Sequence, residues 1–254
     1  MRTVTGLARA RFRLRWWAWR LVTRTSASRR YPADFAQSDI DLWARIRPYT
    51  MTTPTRVYAL VRAVEYISTN RVPGAIVECG VWRGGSMMAV ALTLIRLGDT
   101  TRELYLFDTF EGMTQPGTQD VTPSGELAGD ILARSEATSN IWAIASLEDV
   151  REALLGVGYP EERIHFVKGP VEATIPGNAP EAIALLRLDT DWYSSTKHEL
   201  VHLYPRLADA GVLIVDDYGH WQGARQAVDE YIAENGLQVL LNRIDETGRI
   251  AVKT

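Results

Sequence analysis

Four acidic residues follow two apolar segments, and their spacing is the strongest chemical signal in the chain. Asp189 and Asp191 come after AIALLRL, and Asp216 and Asp217 come after GVLIV. Apolar segments of this length are typical of buried strands. Neighbouring strand ends lie about 5 Å apart, so Asp189, Asp216 and Asp217 are expected to converge. An all-oxygen set of ligands favours Mg²⁺, Ca²⁺ or Mn²⁺ over zinc.

Asp191 is predicted to have a different role from its neighbours. It lies two residues beyond Asp189 and can reach into the same cleft. That position suits a general base better than a metal ligand. The alternative is that all four acids are solvated loop residues that cap helices.

The segment IVECGVWRGGS, residues 76–86, predicts a strand, a glycine-rich turn and a helix. Gly80 permits a sharp turn, and Gly84 and Gly85 permit a ligand to approach the helix N-terminus. The dinucleotide fingerprint G-x-G-x-x-G is absent. Glu78 at the strand end would repel a pyrophosphate but would attract an ammonium or sulfonium group. A tight turn without a ligand remains the alternative, since glycine loops are common.

Asp108 ends the next predicted strand, ELYLFD. A carboxylate at this position can accept hydrogen bonds from the two hydroxyls of a ribose. Together with Glu78, it indicates an adenosyl ligand whose other end is an amino acid.

HELVH, residues 198–202, has the spacing of a zinc-peptidase motif. On a helical wheel Leu200 lies on the buried stripe with Leu203 and Leu207, whereas the two histidines fall about 160° away from Leu200. We therefore expect His198 and His202 to face solvent, and we interpret the motif as an exposed pair without a catalytic role.

Apolar segments and helical segments alternate from residue 54 onwards. The predicted elements are a helix opened by Thr53-Pro54, strands over 75–80, 103–108, 163–169, 182–189 and 211–217, a helix capped by Ser146, a helix over 223–236 closed by Gly236, and a terminal hairpin of LQVLLN and RIAVK. This order predicts a doubly wound α/β fold, mainly parallel with one antiparallel strand. Ligands of such sheets bind at the carboxyl ends of the strands. The stretch 113–145 exceeds ordinary loop lengths and is a candidate lid.

Charge is distributed unevenly along the 254 residues. Residues 1–30 hold nine arginines and no acid, whereas the other 224 residues hold 19 basic and 31 acidic side chains. Arginines interrupt this tryptophan-rich segment too often for a transmembrane helix. Two alternatives remain: a helix that packs on its own domain or on a sister subunit, and an interfacial anchor on anionic lipid. We favour a homo-oligomer in which the segment crosses an interface, and residues 31–254 are predicted to form a single domain.

The single cysteine, Cys79, excludes a disulfide framework and favours a reducing compartment, so we expect a cytoplasmic location. No nucleic-acid partner is expected. Two other classes of function stay open from the residues alone. One is a nicotinamide oxidoreductase, although the glycine spacing typical of dinucleotide binding is absent from this sequence. The other is a catalytically silent sugar- or cofactor-binding module.

Several segments resemble the macrocin O-methyltransferase family of metal- and S-adenosylmethionine-dependent enzymes that act on sugar hydroxyls of natural products. The resemblance covers about residues 50–235 and rests on TTPTRVYAL, IVECGVWRGGS, LFDTFEGM, FVKGPVEATIP, LLRLDTDWYSSTKHELVHLYPRL and VLIVDDYG. It implies a Rossmann-like class I methyltransferase fold with a seven-stranded sheet. The acceptor would be a sugar of a small molecule, a glycolipid or a polysaccharide.

The resemblance also implies roles for individual residues. S-adenosylmethionine would be held by Glu78, Gly80, Val81, Trp82, Gly84, Gly85, Ser86 and Asp108, with Gly169 and Glu172 in a turn near the adenine. Asp189, Asp216 and Asp217 would bind Mg²⁺, and Asp191 would be the base.

Overall fold

The computed structural model describes residues 31–136 and 139–254. The chain divides into two units, residues 1–40 and 41–254, and every described strand lies in the second. The expectations for the basic segment, residues 1–30, fall outside the described residues. Within the described ranges, no helix combines the length and apolar character that crossing a membrane requires.

Helices and strands alternate along most of the chain, as the sequence predicts. The helices are α1 (Gln37–Ile46), α2 (Pro54–Thr69), α3 (Gly85–Leu97), α4 (Ala128–Arg134), α5 (Leu147–Leu155), α6 (Val171–Thr174), α7 (Tyr193–Leu203) and α8 (Gln222–Glu234). The strands are β1 (Ala75–Cys79), β2 (Leu104–Asp108), β3 (Ile164–Lys168), β4 (Ile183–Leu188), β5 (Leu207–Val215), β6 (Asn242–Arg243) and β7 (Arg249–Val252).

The strands form one seven-stranded sheet in the order β3-β2-β1-β4-β5-β7-β6. The first five are parallel neighbours, and β7 is antiparallel to both β5 and β6. The fold class is therefore confirmed: a doubly wound α/β fold, mainly parallel, with one antiparallel strand.

The start of α2 shows how local sequence sets an element. The hydroxyl of Thr53 accepts a hydrogen bond from the Arg56 backbone N–H at 3.2 Å, and Pro54 occupies the first turn. Proline is favoured there because its missing N–H would have no partner within the helix. Buried residues then recur at helical spacing: Val57, Leu60, Val61, Ala63, Val64 and Ile67. This apolar stripe packs α2 against the sheet.

Alternate side chains of the strands point to opposite faces of the sheet. Val77, Leu186 and Val215 pack with residues of α6, α7 and α8 in one hydrophobic cluster. Glu78, Arg187 and Asp216 take the alternate positions and therefore face the layer of α2 and α3. One helical layer thus covers an apolar face, and the other covers a face that carries charge near the strand ends.

Two predicted elements differ from the structure. Strand β5 begins at Leu207, four residues before the predicted start, because residues 207–210 continue the backbone pairing with β4 and β7. The predicted strand LQVLLN is mostly irregular, and only its last residue, Asn242, belongs to β6. Leu240 in this segment is 84% exposed, whereas Leu237, Val239 and Leu241 are partly buried against the core, so the apolar alternation marks partial burial without strand pairing.

Candidate active site

A cavity of about 400 Å³ opens at the carboxyl end of the parallel strands, where ligands of doubly wound sheets bind. Its walls come from the turns after β1 to β5, from residues 49–52, from the 113–145 stretch and from the β6–β7 hairpin. Most residues predicted to form the site line this cavity: Gly80, Val81, Trp82, Gly85, Ser86, Asp108, Gly169, Glu172, Asp189, Asp191, Asp216 and Asp217.

The three predicted metal ligands meet in this cavity. Strand register places Leu188 beside Val215, and the Asp216 N–H donates to the Leu188 carbonyl at 2.9 Å. One carboxylate oxygen from each of Asp189, Asp216 and Asp217 lies within 4.8 Å of the others. The convergence that the sequence predicts is present, and its use for a metal remains a prediction.

The cluster is deeply desolvated. Burial raises the pKa of Asp189 and of Asp217 well above the ordinary value, and repulsion from Asp216 adds to the rise in both. The Oδ2 atom of Asp217 is buried and has no hydrogen-bond partner in the described part of the chain. Crowded carboxylates with an unsatisfied oxygen are what a hard dication would stabilise. The donor set therefore fits Mg²⁺.

Two arginines balance these acids, and neither was predicted from the sequence to belong to the site. Arg187 is 4% exposed. Its guanidinium donates to Glu78 at 2.6 Å and to Asp189 and Asp216 at 2.7 Å each. An arginine inside the otherwise apolar β4 segment IALLRL was the available signal, since a buried charge needs a partner.

Arg56 approaches the cluster from α2. Its guanidinium donates to Asp216 and to the Thr247 hydroxyl, and its Nε donates to Asp245 at 2.8 Å. Asp245 also accepts from the backbone N–H groups of Thr247 and Gly248. The side chain of Arg56 thus links the β6–β7 hairpin to the acid cluster.

Glu78 lies behind the cavity wall and not on it. Its side chain is 1% exposed, Oε1 accepts from Arg187, and Oε2 is buried without a partner among the described residues. Burial raises the pKa of Glu78 to about 7, although Arg187 opposes the rise. The free oxygen could accept a hydrogen bond from an ammonium group of a cofactor, which is consistent with the predicted role.

Asp108 has a structural task that the sequence did not reveal. Oδ2 accepts from the N–H groups of Val81 and Trp82 at 2.6 and 3.0 Å, and Oδ1 accepts from the Phe110 N–H at 2.7 Å. The carboxylate therefore shapes the turn after β1. A ribose would have to share these oxygens with the backbone.

Gly80 and Gly85 are required because other parts of the protein backbone pack closely against them. Gly80 has φ +82°, and a Cβ there would lie 2.0 Å from the Asp189 carbonyl oxygen. A Cβ on Gly85 would lie 2.5 Å from the Tyr49 carbonyl oxygen. Gly84 has φ +82° and is not part of the cavity wall. The reason assigned from the sequence, room for a ligand, is thus corrected for Gly85: the room is taken by the backbone of residue 49.

Asp191 sits at the cavity with an unusual backbone. Its φ is +67°, in the left-handed region that non-glycine residues rarely adopt. Burial raises the pKa of Asp191 to about 8, and the negative charge of Asp189 adds to the rise. Such a carboxyl exchanges a proton near neutral pH, which a general base requires.

The HELVH prediction is partly wrong. Leu200 and Leu203 are buried as expected, but His198 and His202 are half-buried and not solvent-facing. His198 Nε2 donates to the Ile175 carbonyl at 3.0 Å, because α6 and the residues after it pack beside α7. Glu199 is fully buried and accepts from the Thr190 hydroxyl at 2.9 Å. No cluster of possible metal ligands in the described ranges includes these histidines.

The 113–145 stretch carries the short helix α4 and makes two hydrogen bonds to the start of α7 and the residue before it. Trp192 Nε1 donates to the Thr114 carbonyl at 3.1 Å. Asp120, which is fully buried, accepts from the Tyr193 N–H at 2.7 Å and so caps α7, which has no cap of its own. The stretch packs over the loop that holds Asp191, and its opening as a lid stays a prediction.

Comparison with known proteins gives the chain its relatives. It is 34% identical over 200 residues to the 8-demethyl-8-(2,3-dimethoxy-alpha-L-rhamnosyl)-tetracenomycin-C 4'-O-methyltransferase of Streptomyces olivaceus, covering 79% of this chain and 74% of that protein. It is 30% identical to the mycinamicin III 3''-O-methyltransferase of Micromonospora griseorubida, with 79% and 76% covered. The solved structure of the O-methyltransferase NovP has 33% identity and a TM-score of 0.69, covering 81% of this chain and 82% of that chain.

The match to a family extends further than the resemblance seen in the sequence. Residues 20–252 match the family described as Macrocin-O-methyltransferase (TylF), whereas the motifs covered about 50–235. The fold built on the seven-stranded sheet is shared with the solved O-methyltransferase NovP, a fold of the Rossmann-like class. The chain therefore belongs to the macrocin O-methyltransferase (TylF) family and is an O-methyltransferase.

Proposed function

We propose that this O-methyltransferase takes its methyl group from S-adenosylmethionine, requires Mg²⁺, and acts on a sugar hydroxyl of a glycosylated product. The observation that carries the proposal is a cavity that holds both the convergent Asp189, Asp216 and Asp217 and the adjacent Asp191. The names of the relatives, which include a rhamnosyl-tetracenomycin and a mycinamicin, support a sugar of a natural product as acceptor.

The proposed division of the cavity follows from its walls. The turn after β1, with Val81, Trp82 and Ser86, and the turn Gly169–Glu172 would hold the cofactor, with Glu78 behind them. Asp189, Asp216 and Asp217 would hold Mg²⁺. When bound, the cofactor supplies an electrophilic methyl group, and the dication supplies Lewis acidity toward the acceptor hydroxyl.

Asp191 would take the proton of the acceptor. A sugar hydroxyl is a weak acid, so its proton must leave as the new bond forms. Asp191 lines the same cavity as the acid cluster, and a dication held by that cluster would lower the pKa of Asp191 and favour the carboxylate that accepts the proton. Arg187 forms ion pairs with Asp189 and Asp216 and so fixes the positions of their carboxylates. Residues 49–52, Met113 and His220 line the remaining wall and would face the sugar.

A metal-binding experiment tests this proposal. Calorimetry of EDTA-treated protein with Mn²⁺ and Mg²⁺ should show one site in the wild type and none in Asp217→Asn. Asp229→Asn is the matched control, because Asp229 is exposed on α8 and outside the cavity. Methyl transfer should stop in EDTA and return with Mg²⁺. Full activity in metal-free buffer would refute the metal requirement.

The acceptor is best identified in cells. Extracts of a producing strain with and without the gene should differ by one methyl group on a glycosylated compound, as measured by mass spectrometry. The purified enzyme should then methylate the unmethylated compound in the presence of S-adenosylmethionine. A methylated product that lacks any sugar would overturn the acceptor class but leave the methyl transfer standing.

The two alternatives considered from the sequence are disfavoured. A nicotinamide oxidoreductase does not fit a family of methyltransferases. A silent binding module would have no need for a desolvated acid cluster beside Asp191.

The role of residues 1–30 is a separate proposal. The segment holds nine arginines and three tryptophans, whereas residues 31–254 have a net negative charge. This composition favours contact with another subunit over contact with a lipid surface. Deletion of residues 1–30 should yield a smaller species in light scattering and a lower melting temperature. A deletion variant that keeps its mass and stability, but no longer sediments with anionic vesicles, would favour membrane contact instead.

A further inference from the structure

The loop between β4 and α7 holds Asp191 in a strained turn. The Trp192 N–H donates to the Thr190 carbonyl at 2.8 Å, and Asp191 between them has φ +67°. An i to i+2 hydrogen bond around a residue with positive φ is the rarer and more strained form of the γ-turn. Such a conformation persists only where the surrounding structure holds it. The contacts that hold Asp191 are therefore informative about its use.

A tryptophan from outside the loop donates a hydrogen bond directly to the carboxylate of Asp191. Trp221 Nε1–H donates to Asp191 Oδ1 at 2.8 Å. Trp221 is 4% exposed, and a buried indole N–H needs a partner. The backbone N–H of Trp221 donates to the Asp217 carbonyl at 3.1 Å, so the residue is also fastened beside the acid cluster.

The indole of Trp221 is itself immobilised. Its ring meets that of Trp192 edge to face, with centroids 5.2 Å apart. Both tryptophans pack in one small apolar cluster with residues of α4, α8 and the 113–145 stretch: Ala128, Leu132 and Ala224, flanked by Met113, Ile131, Ile141 and Trp142. Packing thus holds in place the indole that donates the hydrogen bond to Asp191.

We propose that Trp221 is a positioning residue that aims the Asp191 carboxylate at the acceptor, an inference that rests on the proposed role of Asp191 as base. Trp221 is absent from the wall of the cavity, so it acts through Asp191 and not on the substrate. A carboxylate displaced by about 1 Å can lower turnover by two orders of magnitude. Loss of this positioning should lower kcat and leave KM unchanged, because the indole does not line the cavity in which cofactor and acceptor would bind.

The first test removes the donor. In Trp221→Phe, kcat should fall about tenfold to a hundredfold. The acceptor KM and the calorimetric affinity for S-adenosylmethionine should stay within about twofold, since Trp221 does not line the cavity and phenylalanine keeps an aromatic ring beside His220, which does. Trp142→Phe is the matched control: Trp142 packs against the same cluster, and its buried Nε1 has no partner in the described residues. It should keep kcat.

A second variant separates donor from packing. Trp221→His removes more apolar volume than phenylalanine does but restores a ring N–H. A positioning role predicts that kcat recovers relative to Trp221→Phe, whereas a purely structural role predicts a further loss. Circular dichroism and melting temperature report whether each variant folds. Equal or lower kcat in Trp221→His than in Trp221→Phe would overturn the proposal.

The decisive experiment combines Trp221→Phe with Asp191→Asn. If Trp221 works through Asp191, the double variant should be no slower than Asp191→Asn alone. A further tenfold loss in the double variant would overturn the positioning role while the base assignment stands. Wild-type kcat in Asp191→Asn alone would instead overturn the proposed base, so the two failures are distinguishable.

Discussion

The guanidinium of Arg187 lies 2.6 Å from the carboxylate of Glu78, and both side chains are buried. The two residues occupy paired positions on β4 and β1, so adjacent parallel strands bring them side by side. The same guanidinium reaches Asp189 and Asp216 at the strand ends. One cation therefore links the proposed cofactor anchor to the proposed metal ligands.

Replacing Arg187 by Gln should destabilise the protein severely. Three carboxylates would lose a buried partner, and breaking a buried ion pair from one side costs about 3–5 kcal/mol. Urea unfolding gives the free energy directly. Arg225→Gln is the control, because its pair with Asp229 is exposed and should contribute no more than about 0.5 kcal/mol. A loss below about 1 kcal/mol for Arg187→Gln would contradict the ionic role.

Asp245 should make the protein sensitive to acid. Burial alone would raise the pKa of Asp245, but donors from Gly248 N–H and Arg56 outweigh it and lower the pKa from 3.8 to about 2. Because the folded state binds the proton less tightly, the ionised form stabilises the fold above pH 4. This stabilisation, about 2 kcal/mol, is lost as the pH falls from about 4 to 2.

The measurement is the free energy of unfolding against pH for wild type and Asp245→Asn. The difference between the two should be constant above pH 5 and should shrink toward pH 2. Asp229→Asn, on an exposed face, should track the wild type throughout. A constant difference across the whole range would contradict the assignment.

Asp108→Ala should weaken binding of S-adenosylmethionine. The substitution frees the N–H groups of Val81 and Trp82, which line the cavity, and removes an acceptor for the ribose. Loss of charged hydrogen bonds of this kind costs roughly 1–3 kcal/mol, which calorimetry resolves. Glu111→Gln is the control, since Glu111 is exposed and pairs only with Lys168 among the described contacts. Unchanged affinity in Asp108→Ala would refute the role.

The histidines of HELVH should affect stability and not chemistry. His198→Ala removes the hydrogen bond to the Ile175 carbonyl and should cost about 1 kcal/mol. His202→Ala should change the free energy of unfolding by no more than about 0.5 kcal/mol. Methyl transfer should be unchanged in the double variant. Loss of activity there, with folding intact, would mean that the histidines do take part.

The strand ends and helix starts could be predicted because they depend on neighbours in sequence. Thr53 and Pro54 satisfy the first turn of α2 locally, and Asp189 and Asp216 follow apolar runs that must be buried. Parallel pairing then brings the two acids to one edge whatever the order of the other strands. The convergence of the acid cluster was therefore accessible from the sequence.

Other contacts of the site could not be predicted from the sequence in the same way. Arg56 lies 160 residues from Asp216, and only the docking of α2 on the sheet joins them. His198 is half-buried because α6 packs beside α7, which a wheel of one helix cannot show. Trp221 finds Asp191 through a cluster built from three separate segments. Each of these contacts depends on tertiary packing, where local patterns carry no information.

The close approach of Gly80 to the carbonyl of Asp189 has a consequence for engineering. Because a Cβ on Gly80 would lie 2.0 Å from that oxygen, any side chain at position 80 would displace one of the two loops. A chimera that imports a turn after β1 without glycine at this position would therefore need the loop after β4 from the same parent. The 113–145 stretch contacts the second loop through Asp120 and Thr114 and packs against Trp192 and Trp221, so an exchange of this stretch for a new acceptor should keep the apolar residues of that cluster.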